Sequence, residues 1–419
     1  MISNPSAAGP SRLPLRFLLT GIAMFLLFQI ASVATGAGWT GLSPRNPEGW
    51  SAAHLMLLGF AAMIAMGAVY QLIFVVVQHS IYSERLGKWH YAFFLTGLSG
   101  LTVGFFLGNV ALIALFATIA FTGIILFVWN IAATLITVKM WNPITLSALA
   151  AVTFLFFTGL TGLGMGLNFR FAFLGMSHDQ WLGAHLWFGL FGWFGLLITG
   201  FSYKMLPMFF LSHGHNEKPA RLTLILWSAA VVTGAVSSLL GLSKWMQWIA
   251  LVLLTLALAA YCVQIHFIIR KKHKKTPGYG ILVAVWSTYL LTGAALAFVA
   301  FAIWNPAVLS EQSVYAFVIS LYLWNWLAPV ILGYMSKIVP FLWWTLKYGD
   351  KVGKEKTPVM ADLVKENHVK VLLSLWVAAA LALLGCTAVG SELAVQIAAG
   401  VWSVLSLGYM LLLARVFTR

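Results

Sequence analysis

Two histidines of this chain stand alone within apolar helical sequence. His54 lies in a run of Ala, Leu and Met, and His185 lies in a run of Gly, Leu, Trp and Phe. A neutral imidazole in such a place can bind a metal ion or haem iron, or it can hydrogen-bond to a neighbouring helix. The residue types therefore indicate His54 and His185 as candidate ligands for a haem or copper site.

Small residues follow both histidines along the chain. Gly59 and Gly192 are the candidates for leaving room beside a flat cofactor, although small residues in membrane helices also serve close helix packing. His178, which precedes Asp179 in an outer loop, is a third candidate metal ligand. These five positions carry the chemistry that the sequence offers most directly.

The other polar side chains are expected near helix ends. All ten Asp and Glu residues map to loops or helix termini, whereas a proton-coupled carrier or pump usually has a carboxylate near the bilayer midplane. Cys262 and Cys386 form no CxxC pair, so we predict neither a zinc site nor a disulfide. Seven histidines are expected as solvated or capping groups at cytoplasmic helix ends: His79, His90, His213, His215, His266, His273 and His368.

Composition places these residues in a membrane. The chain is 61% hydrophobic and 8% charged, with a mean hydropathy of +0.92, which indicates an all-α integral membrane protein. Breaks of Pro, Gly and charge mark twelve segments long enough to span a bilayer. These segments are 14–36, 50–79, 88–108, 109–138, 143–166, 180–211, 221–241, 243–270, 279–304, 313–345, 364–388 and 391–416.

The distribution of basic residues predicts the orientation. With both termini in the cytoplasm, all but three of the 25 Lys and Arg residues lie on that side, the exceptions being Arg45, Arg170 and Lys244. The net charge of +15 is therefore a topology signal in a multi-pass protein of the inner (plasma) membrane. Membrane lipid is the expected partner, and we predict no nucleic-acid partner.

Three similar stretches recur at equal intervals. They contain Gly67, Gly200 and Gly333, which are 133 residues apart, and the match continues eight residues upstream. The period predicts one transmembrane domain over 1–419, built from three four-helix repeats around a pseudo-threefold axis. The approximate bounds of the repeats are 14–138, 143–270 and 279–416.

The repeat also predicts that the two histidines aim differently. His54 lies 13 residues before Gly67, whereas His185 lies 15 residues before Gly200. Two residues on an α-helix amount to a rotation of about 200°. A local distortion, or different roles for the two imidazoles, is therefore expected.

Helix number, repeat pattern and outer histidines together resemble the catalytic subunit of haem-copper oxidases and nitric oxide reductases. In that family the second, sixth and tenth helices line three pores. The resemblance implies that His54 corresponds to a low-spin haem ligand and that His185 occupies the position of a copper ligand. It further implies a b-type haem, with copper as a second possible metal.

The sequence departs from that family at the oxygen-reducing centre. The tenth predicted helix has no His, the region 222–245 lacks a His pair, and no Tyr lies four residues after His185. A complete binuclear centre is thus not expected. The resemblance implies a haem protein of electron transfer or of nitric oxide and oxygen handling, with an outer-face cytochrome or membrane quinol as electron donor. If it is an enzyme, it is an oxidoreductase of the oxidase or nitric oxide reductase type.

A second class of function stays open. A copper or small-molecule transporter, or an assembly factor for respiratory complexes, could share this fold. Outer residues would then capture a cation, with methionines as soft ligands. The candidate ligands are His54, His178, Asp179, His185, Met165, Met176 and Met205.

Two lysines, Lys204 and Lys337, recur at the predicted cytoplasmic ends of their helices. A lysine in such a place either reaches the membrane interface or contributes to a proton entry or a headgroup site.

Overall fold

The computed structural model describes residues 11–34, 46–77, 80–138, 141–310 and 312–419. These residues are almost entirely helical and contain no β-strand. The helices are labelled in chain order. They are α1 Leu13–Ala34, α2 47–77, α3 Glu84–Phe106, α4 Val110–Ile136, α5 Pro143–Phe171, α6 178–210, α7 Lys218–Leu239, α8 Lys244–Arg270, α9 Tyr279–Trp304, α10 312–348, α11 Glu366–Val389 and α12 Glu392–Ala414.

Eleven of these helices are long and apolar enough to cross a membrane. The remaining helix, α3, is long enough, but Trp89, His90 and Tyr91 follow its charged first turn and lower its hydropathy. The chain is therefore a multi-pass helical membrane protein, as its composition indicates. A count of twelve spans stays a prediction.

Three helices change from α- to π-geometry part-way along. The π-helical segments are Leu55–Ala62 in α2, Trp187–Gly195 in α6 and Leu323–Leu327 in α10. Each contains one of the upstream repeat pairs, at residues 59–60, 192–193 and 325–326. The repeat in sequence thus corresponds to the same backbone irregularity, and π-helical segments occur frequently at functional sites. The arrangement of the repeats around an axis stays a prediction.

Two helices begin with the same local signal. Asn46 caps α2 by accepting a hydrogen bond from the Gly49 amide at 2.6 Å, and Pro47 follows it at the first helical position. Asn142 caps α5 in a reciprocal box with Thr145, and Pro143 follows. A side-chain acceptor followed by Pro fixes a helix start because the first amides lack intrahelical partners.

The chain packs as two compact units. The first comprises 1–72, 277–291 and 307–419, and the second comprises 73–276 and 292–306. In the first unit α1 lies against α2 and α12 and also contacts α10. In the second unit α6 packs on α5, α7 and α8. This division by packing does not follow the boundaries of the predicted repeats.

The repeat glycines mark close helix contacts in each repeat. A methyl group at Gly67 would lie 2.8 Å from Cβ of Phe17 in α1. At Gly200 the distance to Cβ of Ser147 in α5 would be 2.5 Å. At Gly333 the methyl would meet a backbone oxygen of α9. Glycine recurs here because neighbouring helices touch at their backbones.

The prediction for the acidic residues is confirmed. Nine of the ten carboxylates lie in loops or within the first two residues of a helix, as Glu84 and Glu366 illustrate. The tenth, Glu311, lies outside the described residues. Acidic side chains at helix starts also interact favourably with the helix dipole.

Candidate functional site

His54 is half-buried and is held by its own helix. Its Nδ1–H donates to the carbonyl of Trp50, 2.7 Å away and one turn earlier in α2. A carbonyl only accepts, so this bond assigns the proton to Nδ1 and leaves the lone pair on Nε2. Histidines that bind metals commonly donate their other ring nitrogen to a carbonyl in this way.

His185 has the same protonation pattern but a different support. Its Nδ1–H donates to the carbonyl of Thr158 in α5 at 2.9 Å, and Thr161 Oγ1 lies 3.3 Å away. Gly162 makes the approach possible, since a methyl there would lie 2.9 Å from Cε1 of the imidazole. The ring of His185 is therefore fastened to α5, again with the lone pair on Nε2.

His178 carries its proton on the other nitrogen. Asn168 Oδ1 accepts from the Leu174 amide at 2.7 Å, which places the Asn168 amino group toward His178 Nδ1 at 3.3 Å. That amino group donates, so Nδ1 accepts and Nε2 is protonated. The ring also lies edge-on to Phe169, with centroids 5.2 Å apart. This geometry suits a hydrogen-bonding residue and gives no support to a metal role for His178.

The position in α6 that corresponds to His54 is Trp187, and it faces other helices than His185 does. A methyl at Gly234 of α7 would overlap the Trp187 indole, and Trp187 Nε1 donates to Gln247 Oε1 of α8 at 3.0 Å. Gln247 donates in turn to Ser237 at 2.7 Å and to Ser238 at 2.8 Å. The expected difference in direction is thus present within α6, because His185 faces α5.

Gly59 and Gly192 both serve helix packing. A methyl at Gly59 would lie 3.1 Å from Cβ of Met24, and one at Gly192 would lie 2.7 Å from Cβ of Phe154. These glycines face α1 and α5 respectively, rather than an open space. Contact of either with a cofactor stays a prediction.

Sequence reasoning missed a set of buried amides in the first unit. Gln29 of α1 is 0% exposed and Asn325 of α10 is 4% exposed, and within the described part of the chain neither amide has a hydrogen-bond partner. Trp402 Nε1 and Ser403 Oγ of α12 are in the same state at 0% exposure. One feature of the sequence could have indicated Asn325: it occupies the repeat position at which the other two repeats have Gly59 and Gly192.

Such groups are costly where they lie. A buried polar group without a partner destabilises the folded state by about 1–3 kcal/mol. The net stability of a folded protein is only about 5–15 kcal/mol. Several unpaired atoms in one place therefore point to a binding role.

One of the seven remaining histidines contradicts its prediction. His90 is 0% exposed, and its ring packs between Phe94 and Phe127 at centroid distances of 5.7 and 4.9 Å. It is thus a packed interior residue of α3, not a solvated or capping one. The exposed side chains of His213, His266, His273 and His368 agree with their prediction, His215 is half-buried, and His79 lies outside the described residues.

The ligand set for cation capture gains no support. Among the described residues, no group of three or more His, Cys, Asp or Glu side chains is placed to hold a metal ion. Met165 and Met205 are buried, and the side chain of Met176 lies outside the described part. Cys262 and Cys386 are both free thiols, as the sequence predicts.

Comparison with known proteins adds no family. The sequence matches no protein-family model and no curated protein. The resemblance to haem-copper oxidases therefore stays a prediction that depends on the helix pattern and on the histidines of this sequence.

Proposed function

We propose that this chain is a membrane haem protein in which His54 would hold the haem iron. The observation that carries the proposal is the Nδ1–H bond of His54 to the Trp50 carbonyl, 2.7 Å long, which orients the ring and leaves the lone pair on Nε2. The π-helical segment that begins at Leu55, the next residue, adds weight. His185 has the same tautomer and is the second candidate ligand.

Haem fits these residues better than a bare metal ion does. A metal ion needs several protein ligands, and the described residues contain no cluster of three. Porphyrin supplies four nitrogens to its iron, so one or two imidazoles suffice. A b-type haem is favoured because it binds without covalent attachment, and the chain has no CxxCH sequence.

The chemistry of such a group is redox or gas binding at iron. The chain's own contribution is to fix the ring direction of His54 through the Trp50 carbonyl and to place it next to the apolar π-helical segment of α2. Two classes of activity are proposed for the protein. One is electron transfer with an outer cytochrome or membrane quinol, and the other is handling of nitric oxide or oxygen. Without a His pair in α7 and a His in α10, oxygen reduction by the family's usual centre is not proposed.

Absorption spectroscopy of the purified full chain, with metal analysis, tests this proposal. We expect a Soret band in haem-loaded protein and its loss in His54→Ala, with the variant still folded by size exclusion and circular dichroism. A wild-type Soret band in His54→Ala would refute the assignment. A colourless protein with bound copper would favour the alternative transporter or assembly role.

A further inference from the structure

Four residues of the first unit that have unpaired polar groups lie near the level of His54: Gln29, Asn325, Trp402 and Ser403. The antiparallel helices α1 and α2 meet at Phe25 and Phe60, whose ring centroids are 4.2 Å apart. Gln29 is four residues from Phe25 and His54 is six residues from Phe60, both toward the outer face. At a rise of about 1.5 Å per residue, the two side chains start within about 3 Å of the same depth.

Aromatic contacts bring α10 and α12 to the same level. The ring of Phe28, next to Gln29, lies 6.4 Å from Trp324, and Trp324 lies 5.1 Å from Trp402. Asn325 follows Trp324, and Ser403 follows Trp402. The unpaired amides, indole N–H and hydroxyl thus come from three helices that touch one another at one depth.

These groups suit a neutral ligand. The set has amide and indole N–H donors and no formal charge, which suits an uncharged ligand that accepts hydrogen bonds. N–H donors stabilise a small ligand that gains partial negative charge at iron, and the polarity of this side of a haem decides whether a gas binds.

The first unit also lacks a second axial histidine at this depth. Its only other His is His368, an exposed residue near the start of α11. Since α11 begins at the cytoplasmic side, His368 lies at the opposite membrane face in the predicted orientation. A haem held by His54 would therefore have no second histidine ligand from this unit and could bind a small ligand instead.

We propose that Gln29, Asn325, Trp402 and Ser403 form the polar wall of the His54 pocket and hydrogen-bond a diatomic gas there. This inference rests on the proposed function and selects gas binding over electron transfer within it. The amides are positioning and specificity residues for the ligand, and His54 alone holds the cofactor.

Carbon monoxide is the probe for this wall. The full chain in nanodiscs is loaded with haem b, reduced and exposed to carbon monoxide. In Gln29→Met and Asn325→Leu we expect an intact Soret band, a higher C–O stretching frequency and a dissociation rate raised on the order of tenfold, which is the loss of about one hydrogen bond. Asn325→Gly is a second variant at that position, with the residue that the other two repeats have there, and the same changes are expected in it.

Gln71→Met is the matched control. Gln71 is another amide of the first unit with an unpaired buried oxygen, and it lies seventeen residues beyond His54 toward the inner face. We expect wild-type frequency and rate in this variant. A second readout is the melting temperature of the haem-free protein, which a purely structural role for Gln29 would lower and a ligand-binding role would leave equal or raise.

The outcomes separate the two proposals. An intact Soret band with wild-type frequency and rate in Gln29→Met and both Asn325 variants would overturn the polar wall alone. A reduced wild-type protein with two protein axial ligands and no carbon monoxide binding would do the same. Failure of the wild-type chain to take up haem, or haem uptake by His54→Ala, would overturn the proposed function together with this inference.

Discussion

The surroundings of His54 in the first unit and of His185 in the second share a local design. Both imidazoles lie in the N-terminal part of a helix, two residues or fewer before a π-helical segment. Both donate Nδ1–H to a main-chain carbonyl. By sequence pattern and by tautomer alone the two sites are nearly equivalent.

Their polar neighbours separate them. In the second unit, the amide of Gln247 bonds to Trp187, which lies two residues after His185, and to Ser237 and Ser238, so it is fully used. At the level of His54, the amides of Gln29 and Asn325 have no partner among the described residues. A closed hydrogen-bond network stabilises a helix bundle by itself, whereas unpaired buried donors leave hydrogen bonds for a ligand or an ordered water to make. The difference favours His54 as the functional site and His185 as a structural residue.

The largest effect is expected from the paired substitutions His54→Ala and His185→Ala. The first is expected to remove the haem signal completely and the second to keep it, because the proposed haem site lies in the first unit and His185 lies in the second. The Soret absorbance per mole of purified protein measures both. Loss of the band in both variants would show that His54 and His185 are both needed for haem binding, and it would contradict the different roles given to the two histidines.

The two amides should respond in opposite directions to the same change. Gln247→Met is expected to lower the free energy of unfolding by about 1–3 kcal/mol, because Trp187 and two serines lose a partner. Gln29→Met in haem-free protein should leave that energy equal or raise it, since an unpaired amide is replaced by an apolar chain of similar size. Chemical unfolding in detergent compares them, and equal destabilisation would show that Gln29 is also bonded within the protein.

The glycines that precede the repeat motif offer a smaller test of packing. Gly192→Ala is expected to destabilise the second unit by about 1–3 kcal/mol, because its methyl meets Phe154 at 2.7 Å. Gly59→Ala should cost less than about 1 kcal/mol, since its methyl would lie 3.1 Å from Cβ of Met24, a contact that a shift of a few tenths of an ångström relieves. Thermal unfolding of the two variants ranks them, and a reversed order would contradict the packing described for α5 and α6.

The smallest effect is expected in the C-terminal halves of α6 and α10. Lys337 pairs with Glu366 at 2.9 Å, and Glu366 is half exposed, so Lys337→Met should cost less than about 1 kcal/mol and less still in high salt. Lys204 occupies the same repeat position in the second unit and forms no ion pair within the described residues. Lys204→Met should therefore leave the midpoint of unfolding unchanged at either salt concentration.

Part of the site was visible in the sequence because its signals are local. His54 and His185 are conspicuous in apolar runs, and the glycine period locates the close helix contacts. His90 was misjudged because its proximity to a helix end suggested solvent, while Phe127 of the next helix covers its ring. Gln29 and Asn325 were missed because the sequence does not show whether an amide in an apolar segment has a hydrogen-bond partner.

The sequence by itself determined a multi-pass helical membrane protein with acidic groups at helix ends and a period of 133 residues. These features depend only on the residues of each segment and on the bilayer, so they can be read from hydropathy, from the placement of charges and from the spacing of glycines. The tertiary structure alone decided which nitrogen of each imidazole carries the proton and which buried amides are satisfied. A hydrogen bond depends on the atom opposite, and for Gln247 or Asn325 that atom belongs to a residue distant in the chain.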